Sequence, residues 1–239
     1  MRIAFISDIH GNANALEAVL ADIKKKYVDK IYVLGDICYR GPEPQRSLDL
    51  VRGLNTEVIK GNADEWVVRG VNKGEVPDST LEIMNKERDW VCSQLDKESI
   101  DYLEALPTEL KLEFEGFKIH AFHATPESLF EVVLPQECED TLETKIMGEE
   151  ANLYVYAHIH KPFIHYINGK VIMNIGSVGL PFDGISKPSY GLVDFEYGMG
   201  FQTSIIRVRY DTNTTVNQFE KSDYPNKNMM IDILRNGYL

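Results

Sequence analysis

The chain predicts an α+β fold, and three features of its pattern carry that expectation. Short apolar runs alternate with amphipathic stretches at the start, residues 78–106 read as helix, and the second half is dense in strand patterns. Residues 2–7, RIAFIS, are an apolar run of the length of a buried strand. NANALEAVLADIKKK follows, with Leu16, Val19, Leu20 and Ile23 at helical spacing and Glu17 three residues after Asn14, as in a capping box. KIYVLGD reads as a second strand and PEPQRSLDLVRGL as a helix opened by proline. TEVIK reads as a third strand that runs into KGNADEW, where Asn62 is placed to cap a helix. This β-α-β-α-β start implies parallel strands joined by helical crossovers.

STLEIMNKERDWVCSQL and KESIDYLEAL supply the helical stretch, which holds no cluster of chemical residues and is expected to form a cap over residues 65–106. ELKLEFEGFKIHAFHA then reads as a hairpin around a Glu-Gly turn, and FIHYINGKVIMNIG as another around Asn-Gly. EDTLETKIMGEE is a helix between them, followed by the strand-like NLYVYAHIH; SYGLVDFE and FQTSIIRVRY are further strands. Without repeats, low-complexity tracts or a linker, residues 1–239 are expected to be a single domain.

A net charge of −12 argues against a protein that coats nucleic acid or an anionic membrane, although a local cation can still hold a phosphate. Cys38, Cys92 and Cys138 are odd in number, widely spaced and without a CxxC, which suits a reducing cytoplasm. No stretch approaches transmembrane length, and the N-terminal apolar run is too short for a signal peptide, so a cytoplasmic protein is expected.

The residues of chemical interest follow predicted strands. Asp8 and His10 come after the first, Asp36 after the second, Asn62 after the third, His123 after KIHAF, and His158 and His160 close YVYAHIH. Open α/β folds build their sites at such strand ends. Singly, each has a bland reading: Asp-x-His as a turn and cap, Gly35-Asp36 as a loop start, Asn62 as a cap, His-x-His as a coincidence of strand alternation. Their order and common placement are what chance does not give, and their oxygen and nitrogen atoms suit a pair of transition-metal ions.

The series SDIHGN, LGDICYRGP, KGNAD, FHATP, AHIHKP and NIGSVGLPFDG resembles the calcineurin-like metallophosphoesterases, most closely their small bacterial and archaeal phosphodiesterase branch, which includes enzymes that split dinucleoside polyphosphates. The resemblance implies a four-layer α/β/β/α sandwich of two mixed sheets flanked by helices, and a dinuclear centre. Asp8, His10, Asp36 and His160 would hold one ion and Asp36, Asn62, His123 and His158 the other, with Asp36 bridging. Asp36, Asn62 and His123 would thus form the catalytic heart. Manganese or iron is the expected metal, with zinc, cobalt or nickel as alternatives, and the reaction implied is direct attack of a metal-bridging hydroxide on phosphorus. The expected substrate is a small phosphate ester or nucleotide, a dinucleoside polyphosphate being the specific alternative, and an oligomer is compatible. The other readings are a serine/threonine protein phosphatase and a non-catalytic protein-binding scaffold.

Arg40 and Asn12 are the candidate phosphate contacts, Arg40 against a reading as solvated surface and Asn12 against a reading as a helix cap. The sequence also departs from the family pattern. Ala63 stands where a histidine usually follows the asparagine and helps protonate the leaving oxygen, which favours phosphodiesters and anhydrides over alkyl monoesters. Ala124 and Ala157 replace glycines beside His123 and His158, and Phe182 stands where the branch often carries arginine, offering instead a stacking face for a base. His120 and His165 read as structural, Ser177 as support for the histidine loop, and Trp66 and Trp90 as core or cleft wall.

Overall fold

In the computed structural model, which describes residues 1–196 and 198–238, the first half of the chain forms β1 (Arg2–Ile6), α1 (Ala13–Lys25), β2 (Lys30–Val33), α2 (Pro44–Gly53), α3 (Asn62–Arg69), α4 (Asp78–Ser93) and α5 (Lys97–Glu104). The second half forms β3 (Glu109–Phe114), β4 (Phe117–Phe122), α6 (Glu139–Ile146), β5 (Leu153–Tyr156), β6 (Phe163–Ile167), β7 (Lys170–Asn174), β8 (Ser189–Glu196), β9 (Gly200–Arg207), α7 (Thr212–Lys221) and α8 (Lys227–Asn236).

β1 is apolar on both faces, and the fold buries both. Ile3 and Phe5 point into one cluster while Ala4 and Ile6 point into another, the period of two that a strand imposes. β5 divides in the same way, with Leu153 and Val155 on one side and Tyr154 and Tyr156 on the other. The shared cluster lies between two mixed sheets, ordered β2-β1-β8-β9 and β3-β4-β5-β7-β6. Leu16, Val19, Leu48, Trp66, Val91 and Leu103 from the first five helices cover the outer face of the first sheet, and Leu142 and Ile146 of α6 cover that of the second. The result is a four-layer α/β/β/α sandwich. Each large apolar side chain buried in these layers contributes about 1.5–3 kcal/mol.

The helices of residues 65–106 share one apolar cluster with α1 and α2 (Val67, Met84, Val91 and Leu103 beside Leu16 and Leu48) and pack along the first sheet as part of its outer layer. The two hairpin turns place both central residues at positive φ, Glu115 and Gly116 at 51° and 82°, Asn168 and Gly169 at 50° and 76°, as two-residue turns between twisted strands require.

Three local expectations need correction. TEVIK makes an isolated bridge between Val33 and Val58 instead of a strand, because the Lys60 N–H turns away to the Pro107 carbonyl. The first helix is capped by Asn12, whose Oδ1 accepts the Ala15 N–H at 3.1 Å, while Asn14 bonds to Thr215 and Gln218 of α7. β5 stops at Tyr156, so His158 and His160 are presented by a loop.

What matters for the site is direction. β1 and β2 are parallel in one sheet, β4 and β5 in the other. Their C-terminal ends bring the loops after all four to one edge of the sandwich.

Candidate metal centre

Asp8, His10, Asp36, His158 and His160 all lie in the left-handed region, with φ between 50° and 64°. Non-glycine residues seldom sit there, and each costs on the order of 1–3 kcal/mol that the surrounding structure must offset. The loops are over-determined to do so. His10 N–H donates to the Asp36 carbonyl at 2.9 Å, Asp8 N–H to the Gly35 carbonyl at 3.1 Å, and Ser177 Oγ donates to the Asp8 carbonyl at 2.8 Å. Ala124 and Ala157 have no positive φ, so the methyl groups in place of glycine bring no strain.

Gly61 is required for space. Its φ of −101° and ψ of 175° are ordinary extended backbone, but a Cβ there would stand 2.1 Å from Asp36 Oδ1. It also takes the cap position expected of Asn62, which is the first residue of α3 and turns its amide into the site. The N–H of Gly61 is bound by Asp64 Oδ2 at 2.9 Å; the same carboxylate accepts the N–H groups of Asp36 at 2.7 Å and Ile37 at 2.9 Å. Asp64 therefore pins the loop carrying Asp36 to the start of α3. Sequence reasoning left Asp64 without a role; its signal was an acid three residues after the cap.

The candidate ligands converge as two overlapping groups. Donor atoms of Asp8, His10, Asp36 and His160 all lie within 4.8 Å of one another. Asn62 Oδ1 lies 2.9 Å from His123 Nε2 and 2.8 Å from His158 Nδ1, and His123 Nε2 lies 3.4 Å from Asp36 Oδ2. Asp36 Oδ2 is also 3.6 Å from His10 Nε2, so one carboxylate oxygen faces both groups, while Oδ1 accepts the Ala63 N–H at 2.8 Å.

Tautomers follow from the carbonyls. His10 Nδ1 faces the Tyr39 carbonyl at 2.9 Å, His123 Nδ1 the Leu34 carbonyl at 2.7 Å, and His160 Nδ1 the Leu180 carbonyl. A carbonyl only accepts, so each Nδ1 carries the proton and each Nε2 is aimed inward. His10 Nε2 and His160 Nε2 thus present lone pairs to each other at 3.1 Å. Asp8 Oδ1, buried and without a hydrogen-bond partner, lies 3.2 Å from His160 Nε2. Lone pairs converging in a dry site are costly unless a cation lies among them. The donor set of carboxylate, amide oxygen and imidazole fits a transition metal better than a calcium cage.

The electrostatics agree. Burial and the neighbouring His160 lower His10 to about 4, and burial and His123 lower His158 to about 4, so both are neutral and available at pH 7. His123 goes the other way: burial opposes its charge, but Asp36 and Asp8 outweigh it and hold it up at about 9. Burial opposes ionisation of Asp36 too, yet His123 keeps it below the usual carboxylate range. Asp64 is pushed up to about 7 by burial and by the charge of Asp36.

Beside the ligands lies a cavity of about 140 Å³ with Arg40, Ala63, Trp66 and Met84 in its wall. Arg40 is no solvated surface residue: its side chain is 19% exposed and pairs with Glu87. Asn12 is 2% exposed, and its amide is spent on Ala15, Thr215, Gly179 and Tyr210, which removes it as a phosphate contact. One face of Phe182 is stacked on His160 at 4.2 Å and supports that ring, leaving less of Phe182 to receive a base. Trp90 packs on Tyr224 away from the cavity, and His120 and His165 face Glu109 and Glu139 elsewhere.

The chain belongs to the calcineurin-like phosphoesterase superfamily, whose domain model matches residues 1–198. It is 31% identical over 244 residues to an uncharacterized protein of Methanocaldococcus jannaschii, covering 93% of each chain. Among solved structures it is similar to a metallophosphoesterase from Sphaerobacter thermophilus, at 28% identity and a TM-score of 0.79 over 99% of both chains. A hypothetical protein from Pyrococcus horikoshii OT3 shares the fold, at 23% identity and a TM-score of 0.84 over 99% of this chain and 98% of that one.

Proposed function

We propose that this protein is a dinuclear metal-dependent hydrolase of phosphodiester or phosphoanhydride bonds, acting by direct attack of water on phosphorus. The observation that carries the reading is the convergence of seven donor side chains with the Nε2 atoms of His10 and His160 and the buried Asp8 Oδ1 left facing one another. Asp8, His10, Asp36 and His160 would hold one ion, and Asp36, Asn62, His123 and His158 the other. Two divalent cations there, manganese or iron foremost, would supply Lewis acidity and lower the pKa of water to about 7. The protein turns Nδ1 of His10, His123 and His160 to backbone carbonyls so that each Nε2 faces the centre, and offers Arg40 to a phosphoryl oxygen.

The wall next to Asn62 supports the choice of substrate class. Ala63, Trp66 and Met84 offer no proton donor aimed at a leaving oxygen apart from the indole N–H, which is given to Glu75. An alkoxide would leave slowly, whereas an aryloxide or a phosphate leaves without a proton. A dinucleoside polyphosphate meets that requirement. The scaffold alternative expects lost ligands, and the sequence keeps all seven candidates. Three free cysteines suit a cytoplasmic setting, and among the described residues no helix is long and apolar enough to cross a membrane.

The test is a screen of the purified protein on bis(p-nitrophenyl) phosphate, dinucleoside polyphosphates and alkyl phosphomonoesters with added manganese, metal content being measured in parallel. Metal-dependent hydrolysis of diesters or anhydrides, lost in Asp36→Ala and Asn62→Ala, is expected. Preference for alkyl monoesters, or unchanged turnover in either variant, overturns the reading.

A further inference from the structure

Glu87 is fully buried on α4, beside the metal centre but outside it. Its Oε2 lies 3.1 Å from the Tyr39 hydroxyl and 3.3 Å from Arg40 Nε, and Tyr39 also lies 2.9 Å from the Met84 carbonyl. Among the described residues Oε1 has no hydrogen-bond partner, nor has the buried hydroxyl of Tyr224. α4 is also held by the turn before α8, where Asp223 accepts the Trp90 indole N–H at 2.6 Å and Tyr224 packs edge-on to the Trp90 ring at 5.1 Å. Met84, Glu87 and Trp90, three residues apart, place these contacts on one side of α4.

Stability does not account for a carboxylate in this position. A buried ion pair gains little over well-packed apolar side chains, because desolvation offsets the attraction. A role in orientation does account for it. A guanidinium bound through Nε is fixed in plane, and its two Nη groups, on the opposite side of Cζ, remain for another oxyanion. Among the described residues the Nη atoms have no protein hydrogen-bond partner, and Arg40 is the sole lysine or arginine lining the cavity. Its guanidinium also sits over the Tyr39 ring, 5.6 Å from the centroid. The backbone is held as tightly: Arg40 has φ 70°, and a Cβ on Gly41 would stand 1.9 Å from the His10 carbonyl oxygen.

We propose that Glu87 is a positioning residue that presents the two Nη groups of Arg40 to a phosphoryl oxygen of the substrate, with the α7–α8 segment, outside the stretch matched by the family model, holding α4 in place for it. The inference rests on the phosphoesterase reading, and its test has a readout separate from turnover.

The manganese-loaded protein is titrated with inorganic phosphate by calorimetry, in wild type, Arg40→Ala, Arg40→Lys, Glu87→Met, Glu87→Gln and the Arg40→Ala/Glu87→Met pair, with bound metal quantified in each. Arg40→Ala and Glu87→Met are each expected to weaken phosphate about tenfold with metal content unchanged, and the double variant no more than Arg40→Ala alone. Glu87→Gln retains an acceptor for Nε and is expected within about threefold of wild type. Arg40→Lys, which has no second nitrogen to spare for Glu87, is expected to bind as poorly as Arg40→Ala. Additive losses in the double variant overturn the proposal, as does wild-type affinity in Glu87→Met. Should Glu87→Met not fold, wild-type affinity in Arg40→Lys overturns it by itself. Phosphate binding that follows this pattern without hydrolysis of any ester would remove the enzymatic reading and leave the Glu87–Arg40 relation standing.

Discussion

The carboxylate of Asp64 accepts the backbone N–H of Asp36 at 2.7 Å, and so the residue proposed to bridge two ions is held by an acid 28 positions further on. Asp64 also binds Gly61 and Ile37, and among the described residues no other side chain takes these three N–H groups. Asp64→Ala would leave them buried and unpaired, at about 1–3 kcal/mol for each group not rescued by water. A loss of about 3 kcal/mol or more in denaturant unfolding of the metal-free protein is expected, together with weaker metal binding. Asp64→Asn keeps one oxygen but sets an NH2 against a backbone N–H, so it should fall between wild type and alanine. Wild-type stability in Asp64→Ala would remove the clamp.

Gly61→Ala is expected to be worse than its small volume suggests. The added methyl meets Asp36 Oδ1 at 2.1 Å and the Asp36 nitrogen at 2.6 Å, so either the Asp36 loop or the start of α3 must move. Metal content per folded chain should drop sharply, while Gly53→Ala, which meets nothing within 4 Å, should not change it. Equal metal content in the two variants would contradict the geometry.

The stability of the metal-free protein should pass through a maximum near pH 6.5. His10 and His158 have folded pKa values of about 4 against an ordinary 6.5, so as pH falls through that window the unfolded chain takes up protons that the folded one refuses, and stability drops. Asp64, at about 7 against 3.8, works in the opposite sense and cancels one of the two. On the alkaline side, His123 at about 9 keeps a proton that the unfolded chain has lost above 6.5, so stability drops as pH rises toward 9. One uncancelled proton corresponds to a slope of about 1.4 kcal/mol per pH unit below pH 6.5 and again between about 7 and 9; between 6.5 and 7 the Asp64 proton adds to that of His123 and the fall is steeper. Urea midpoints from pH 4 to 9 in the presence of a chelator check it; a monotonic trend would count against these assignments.

Metal binding at pH 7 should release about one proton, that of His123, since a ligating imidazole must give up its Nε2 proton. In the metal-free protein that nitrogen faces Asn62 Oδ1 at 2.9 Å and Asp36 Oδ2 at 3.4 Å, so a proton stands where the cation would. Calorimetry in buffers of different ionisation enthalpy measures the release. His123→Asn should bind metal less tightly and release less; release unchanged in that variant would place the proton elsewhere.

Much of the site was legible because its donors are chemically distinctive and each stands just beyond an apolar run. Asp8, His10, Asp36, Asn62, His123, His158 and His160 need no structure to be noticed. What holds them in place was harder to read. Asp64 had no role readable from the sequence, because its acceptors are filled by N–H groups 27 and 28 residues away. Glu87 lies in a helical stretch that the sequence reads as free of any chemical cluster, and only tertiary packing shows it buried against Tyr39 and Arg40. Asn12 was read too generously, since its competing partners Thr215 and Tyr210 come from the other end of the chain.

By itself the sequence determined the alternation of elements, the burial of β1, both hairpin turns and the identity of the candidate donors, because these depend on local periodicity, glycine chemistry and residue type. Tertiary structure decided the rest: that TEVIK contributes one bridge, that His158 and His160 leave the strand before they point inward, that Gly61 matters for space and not for its dihedral angles, and that Asp64 and Glu87 are buried beside the residues they hold. These depend on which distant backbone N–H, carbonyl or guanidinium arrives at a given side chain, and sequence spacing carries no record of such approaches between segments.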